Sequence, residues 1–368
     1  YQRNAQAVSQ SFPQSSSLYN VQFRGTQTVF NAGVWAAMKG ARLVRNAANA
    51  QLKATIDAAL LDVRTRFYTV LLDREKVRVQ EENVQLFRHQ LGDSRNQFQA
   101  GTVSSFEVLR ARVSLANALP DLITARNDYR VSLEQLRQSL GVPSGPGAAE
   151  ELPEVTGSLE VKPATIGLQQ ALASARAHRP ELVELERTRE AEEEAVKNAK
   201  AGYYPTASLF GEYEWDGFGG FAAPASSFGE PEHAHGWLFG IQSNWAIFDG
   251  RATAGRVRQA RSQLEQARLS ESSEDLAIDV EVHQDYSTFE QARELVDATR
   301  QTVAQAKEAL RLANERFHVG SATQLDVLTS QVALTQARTN QLQANYNYLV
   351  ALATLRKAMG LGDALLGG

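Results

Sequence analysis

One sequence unit occurs twice in this chain, and that constrains the fold more than any other feature. Phe98-Gln-Ala-Gly101-Thr102-Val-Ser-Ser-Phe-Glu107-Val-Leu109 returns as Phe317-His-Val-Gly320-Ser321-Ala-Thr-Gln-Leu-Asp326-Val-Leu328. Upstream, Val29-Phe30-Asn31-Ala-Gly33 returns as Ile247-Phe248-Asp249-Gly250. Downstream, Leu136-Arg-Gln-Ser-Leu-Gly141 returns as Leu355-Arg-Lys-Ala-Met-Gly360. The three anchors keep their order and nearly their spacing, as a duplicated structural unit requires.

Each copy reads as a strand ending at Phe-Asn/Asp, a helix of roughly 65 residues, a turn at Gly101 or Gly320, and a return helix of roughly 38 residues. The longer helices would measure on the order of 100 Å, far beyond ordinary globular helices, so coiled-coil packing must hold them. Val63, Val70, Val77, Val84, Leu91 and Phe98 recur every seventh residue, as do Val282, Phe289, Val296, Val303, Leu310 and Phe317. Ala292, Thr299, Ala306 and Ala313 form the second line of the seam. Such heptads impose left-handed supercoiling. Pro120 sits inside the first return helix, where it is expected to introduce a kink; the second copy has Thr339 there.

The expected domains are a first repeat over 1–141, a linker over 142–165, a second repeat over 166–360 and a tail over 361–368. The linker is rich in Pro, Gly and acids. A helix follows from Ile166 to Ala201, broken near Arg179-Pro180. Tyr213-Glu-Trp-Asp216 matches Tyr1-Gln-Arg-Asn4, so the first copy is expected to lack most of its first strand.

Strand segments alternate. Tyr19, Val21 and Phe23 fall on one face and Asn20, Gln22 and Arg24 on the other. Phe239, Ile241, Trp245 and Ile247 oppose Gln242 and Asn244. Residues 203–215 supply a partner strand, with a Gly/Pro/Ser-rich loop over Gly217–Gly236. Apolar-out, polar-in segments of this length fit a membrane barrel, and the same period fits a soluble sheet with one wet face. No apolar run is long enough for a spanning helix, so any crossing must be made by strands.

Composition narrows the function. The chain of 368 residues is 43% hydrophobic and 22% charged, with a net charge of -4 and no cysteine. Nothing there points to nucleic acid, and disulfides, thiolate metal sites and cysteine nucleophiles are excluded. No Ser/His/Asp spacing suggests a triad, so no catalytic residue and no cofactor is expected. Glu232-His233-Ala-His235 has chelating spacing but is read as surface loop, and no metal site is assigned.

The order "RPEL", "AKAGYYPTASLFGEY", "WAIFDG", "FHVGSATQLDVL" and "NYNYLVALATLRKAMG" resembles the TolC-type outer-membrane efflux proteins over essentially the whole chain. The resemblance implies a mainly α fold with transmembrane β: duplicated β-hairpins and coiled-coil helical hairpins, assembled as a trimeric twelve-stranded barrel on an α-helical tunnel. It implies a passive outer-membrane exit duct for small molecules or proteins, serving a tripartite pump or type I secretion system. The implied partners are two further copies, a periplasmic adaptor (membrane fusion) protein, an inner-membrane pump of RND or ABC type, and outer-membrane lipid.

The resemblance also implies site roles. Gly101, Thr102, Gly320 and Ser321 match the adaptor-docking tips. Asp326, with Glu107 as its first-copy counterpart, matches an acidic ring at the tunnel entrance. Tyr19, Val21, Phe23, Phe239, Ile241, Trp245 and Ile247 would face lipid. Phe317, Ala322 and Thr329 depart from residues that close the tunnel in some family members. By residue chemistry alone, Asp326 also reads as an acid stabilising a helix start. A periplasmic coiled-coil scaffold without a channel is the rival reading; it accounts for the helices but not for strands inserted twice between them.

Overall fold

The computed structural model describes residues 17–143, 155–219 and 233–362. The expected strand end at Tyr1–Asn4, part of the linker and Glu232 lie outside these residues. In chain order the elements are β1 (Ser17–Phe30), α1 (Val34–Gln99), α2 (Ser105–Ser139), α3 (Leu168–His178), α4 (Pro180–Lys200), β2 (Thr206–Gly219), β3 (His233–Asn244), α5 (Ala252–His318) and α6 (Gln324–Ala358). The paired long helices have 66 and 67 residues and both return helices have 35. α2 runs unbroken through Pro120, and no described helix is long and apolar enough to cross a membrane.

Packing divides the chain into two units that interleave the repeats. One holds the residues up to Arg45 together with Arg187–Arg268; the other holds Asn46–Glu186 and Leu269–Gly368.

The first unit contains the sheet, whose order is β1-β2-β3 with both pairings antiparallel. Register places Val21 opposite Trp215, and Phe23 opposite Tyr213, which in turn faces Trp237. Tyr19 pairs with Gly217. The strands outrun the loop expected over Gly217–Gly236: Gly217 pairs with His233, so ladder hydrogen bonds prevail over a turn-like composition and His235 belongs to a strand.

Trp245 and Ile247 are not strand residues. The last pair of the ladder is Thr206 with Asn244, and without a partner strand the chain turns away. The Trp245 indole N–H donates to the Tyr203 carbonyl at 3.2 Å, and Ile247 N–H donates to the Trp245 carbonyl at 3.1 Å. Asp249 then accepts from the Thr253 amide at 2.7 Å and opens α5. Asn31 does related work before α1, accepting from the Gly33 amide at 2.9 Å. A Cβ at Gly33 would meet Asn198 Oδ1 at 2.3 Å and Ala201 Cβ at 3.1 Å, so a larger residue there would require the Asn198 side chain to move.

The second unit is built on the heptad seams. Val70, Val84 and Leu91 of α1 are buried, as are Val282, Phe289 and Val296 of α5. Val84 and Phe87 pack on Ala118 and Leu122 of α2, with Leu328 of α6 joining them. Phe289 meets Tyr348 of α6 at 5.4 Å between ring centroids, in a core that also takes Ala171 and Ala175 of α3. Each fully buried aliphatic side chain contributes about 1.5–3 kcal/mol, and the repetition of the seam sustains helices that no isolated peptide would hold. Tyr68 and Tyr286 both sit half-buried against these seams.

Residues 155–166 cross the helices as an ordered strap. Arg74 donates to the carbonyls of Val155 and Gly157, Asn345 to that of Leu159, and Tyr348 to that of Lys162.

Candidate functional site

Both hairpin tips close with the same hydrogen bonds. At the first, Gly101 N–H donates to the Phe98 carbonyl at 3.0 Å and Thr102 N–H to the Gln97 carbonyl at 3.0 Å. At the second, Gly320 N–H donates to Phe317 and Ser321 N–H to Arg316, at 3.0 and 2.8 Å. This is the Schellman pattern, which satisfies carbonyls left open where a helix ends. Gly101 and Gly320 both have φ of 74°, and a Cβ on either would meet nothing within 4 Å. Glycine is therefore required by backbone conformation alone, and the surface above each turn is open. The Thr102 and Ser321 hydroxyls donate back to the Gln97 and Arg316 carbonyls, and Val319 stands exposed next to Gly320 in the second tip.

Beyond the turns the copies diverge. In α6 Thr323 is the N-cap and Asp326 completes a reciprocal capping box. The Thr323 amide and hydroxyl both donate to Asp326 Oδ2 at 2.8 Å. Those bonds, the amide first and the hydroxyl second, hold the Asp326 carboxyl below the usual aspartate range. In α2 the corresponding Ser104 makes no side-chain cap bond, and Glu107 instead pairs with Arg110 at 3.3 Å.

α1 and α6 are joined along their length by side-chain hydrogen bonds. Gln324 donates to Ser94 at 2.8 Å, Gln331 and Thr335 reach Asn83 at 3.4 and 3.2 Å, and Arg338 donates to Glu82 at 2.9 Å. Thr69 and the Tyr346 hydroxyl meet at 3.2 Å. The first two contacts are buried. The contact between the two hairpins thus combines these polar bonds with apolar packing of Leu328 on Val84 and Phe87. Heptad reading missed this ladder, because Asn83 lies off the apolar line, Ser94 is a polar residue in the second line of the seam, and their partners are more than 200 residues away.

A buried ionic cluster was also unforeseen. Arg179, at the break between α3 and α4, has a side chain only 2% exposed. It donates to Glu281 of α5 and lies 3.9 Å from Glu181, while Lys357 of α6 lies 3.5 Å from Glu281. Burial opposes the charge on Glu281, but the hydrogen bond and charge of Arg179 outweigh it and hold the carboxyl low. Asp285, one turn on, is pushed up by burial and then by the charge of Glu281. The Arg-Pro step marked the helix break in the sequence; the partners of the arginine left no local signal.

The sheet sorts its side chains by face. Phe23, Tyr213, Trp237, Phe239, Leu209 and Ile241 share one face by register. Phe239 and Ile241 are 72% and 75% exposed. Trp237 stacks on Phe239 at 5.9 Å and meets Tyr213 at 4.6 Å. The other face carries the polar network: Asn20 donates to Glu214 at 2.7 Å, Gln22 donates to Glu212, and Arg24 lies 3.7 Å from Glu212 and over the Phe210 ring, with Leu238 exposed on the same face. Among the described residues no group of three or more His, Cys, Asp or Glu is placed to hold a metal.

Comparison with known proteins gives these features a context. The family model "Outer membrane efflux protein" matches residues 1–142 and 171–361. The chain is 21% identical to outer membrane protein TolC of Escherichia coli (strain K12) over 346 residues, covering 91% of this chain and 68% of that one. It is 24% identical to the alkaline protease secretion protein AprF of Pseudomonas aeruginosa over 311 residues, covering 83% and 62%. The crystal structure of the outer membrane protein VceC from Vibrio cholerae aligns with a TM-score of 0.71 at 17% identity, covering 94% of this chain and 87% of that one.

Proposed function

Because the chain belongs to the outer membrane efflux protein family, we propose that its exposed sheet faces, free sheet edges and open hairpin tips are the working surfaces of an outer-membrane exit duct. The chain is a channel protein for efflux or type I secretion, placed in the Gram-negative outer membrane and extending into the periplasm. As a homotrimer it would join an inner-membrane pump through a periplasmic adaptor.

The observation that carries it is the sheet. Its aromatic face is open while its opposite face is hydrogen-bonded and charged. Its order leaves one edge of β1 and one edge of β3 without a partner among the described residues. In lipid an unpaired edge costs several kcal/mol per open group, so these three strands span a bilayer only with further strands beside them, which neighbouring copies would supply in a closed barrel. Phe23, Phe239 and Ile241 then meet lipid, while Glu212, Glu214 and Arg24 meet water in the lumen. Trp245 and Ile247 lie just past the strand end, at the depth where interfacial aromatics sit.

The tips take the adaptor. Gly101, Thr102, Gly320 and Ser321 form two nearly identical turns, and threefold symmetry would multiply these into six similar docking points. Asp326 lies in the first turn after the second tip, where three symmetry copies would place three carboxylates at the tunnel mouth. Thr323 already orders each of them. A coiled-coil scaffold without a channel leaves the exposed aromatic face without a role.

Planar-bilayer recording of the assembled protein is the test. Discrete conductance steps are expected, with cation selectivity that falls in Asp326→Asn. A water-soluble monomer without conductance overturns the duct. Conductance with unchanged selectivity in Asp326→Asn overturns only the acidic entrance.

A further inference from the structure

The helices that leave the sheet carry an unusual run of charge. From Asn31 to Ile56 the chain has Lys39, Arg42, Arg45 and Lys53 and no acid; from Arg251 to Leu264 it has four arginines and no acid. Arg251, directly before α5, sits where the helix macrodipole already places positive charge. Arg251 also holds φ of 70°, a conformation an arginine adopts only at a cost. Lys39 pairs with Glu194, and Arg256 lies 3.9 Å from Asp249. Arg42, Arg45, Arg251, Arg258 and Arg261 are exposed and have no acidic partner among the described residues.

Their depth is informative. Arg42 and Arg45 follow the start of α1 at Val34 by about 12 and 17 Å of helix, and Arg258 and Arg261 follow the start of α5 at Ala252 by about 9 and 14 Å. Side chains on a helix lean toward its N-terminus, which in both cases is the sheet end. Long arginines on these turns therefore reach back toward the level where the strands stop. Exposed aromatics mark that level: Trp35, Tyr203, Tyr204 and Trp245. A headgroup layer is roughly 5–8 Å deep on each side of the hydrocarbon, within reach of snorkelling side chains from Arg42, Arg258 and Arg261, with Arg45 just below it.

We infer that this collar binds anionic phospholipid headgroups of the periplasmic leaflet, with Arg42, Arg45, Arg258 and Arg261 as the phosphate-facing cations. It adjoins the end of the sheet from which both long helices leave, and its arginines without an acidic partner complement an anionic lipid and not a zwitterionic one. The inference rests on the outer-membrane placement given above. It adds lipid selectivity at a defined depth, which conduction does not need.

The test uses the assembled protein in nanodiscs of phosphatidylcholine and phosphatidylethanolamine, with and without phosphatidylglycerol. Lipid retained on extraction is measured by native mass spectrometry. Phosphatidylglycerol should be enriched, and high salt should reduce the enrichment. One cation near an anionic surface is worth about a fivefold change in affinity, so Arg42→Gln/Arg45→Gln/Arg258→Gln/Arg261→Gln should lose at least that factor. The matching lysine variant should retain the enrichment. Equal retention of both lipid classes by the native protein, or salt-insensitive enrichment, overturns the inference even if the glutamine variant fails to assemble. Unchanged enrichment in an assembled glutamine variant also overturns it, including when export falls and the face proves to be a protein contact. Bilayer conductance, recorded in parallel, reports on the duct itself and separates its failure from failure of the collar.

Discussion

Thr323 and Asp326 cap one another at the start of α6, through a Thr323 amide and hydroxyl that both donate to Asp326 Oδ2 at 2.8 Å. Ser104 and Glu107 hold the same positions in the first repeat and make no such box. One hairpin is therefore pinned beside its turn and the other is not.

Thr323→Ala should loosen the first turn of α6, while Ser104→Ala should change α2 little. Amide hydrogen exchange at both tips measures the contrast, and several-fold faster exchange is expected only at the second. The capped Asp326 titrates below its ordinary range, so its stabilisation is complete above that range and is lost as pH falls through the lower folded value. Equal protection at both tips across this acid range would contradict the assignment.

Gly320→Ala and Gly101→Ala should each cost about 1 kcal/mol in local stability, because φ of 74° is unfavourable for alanine although the space is open. Asparagine should be tolerated better than alanine at both sites. If the tips dock the adaptor, affinity measured by surface plasmon resonance should fall in the alanine variants while trimer assembly is kept. Unchanged affinity would remove the docking role and leave two helix caps.

Arg179→Ala should destabilise the second unit by about 2 kcal/mol. The figure lies below that for a fully buried broken pair because the Glu281 side chain is 39% exposed. Asp285→Asn should act in the opposite direction at neutral pH. The folded Asp285 titrates above its ordinary value, so ionising it opposes folding as pH rises past that value. The gain from asparagine should shrink toward acid pH. Denaturation followed at two pH values decides this, and a gain independent of pH would point to a cause other than charge.

Ile241→Lys should cost about 2–4 kcal/mol if it lies near the midplane of the bilayer, whereas Gln242→Lys on the adjacent position should cost far less. Folding equilibria into lipid vesicles measure both. Equal effects would mean that the two faces of β3 do not separate lipid from lumen.

The duplication, the two long helical hairpins, both tip glycines and the alternation of the strands follow from the sequence by itself. They rest on local rules: the heptad of an α-helix, the left-handed residue that ends one, and the two-residue period of a strand. The sequence also placed Asp326 at a helix start. Only the tertiary structure decided where β3 stops, because Trp245 and Ile247 keep the alternation while their ladder has run out of a partner at Thr206. It alone brought Ser94 to Gln324, Asn83 to Gln331, and Arg179 to Glu281. Those contacts join residues about 100 to 250 positions apart, and their polar side chains carry no period that shows which helix they will face. Local propensity and spacing set the elements of this duct; the relative register of packed helices, fixed by burial in the seams, set the polar contacts between them.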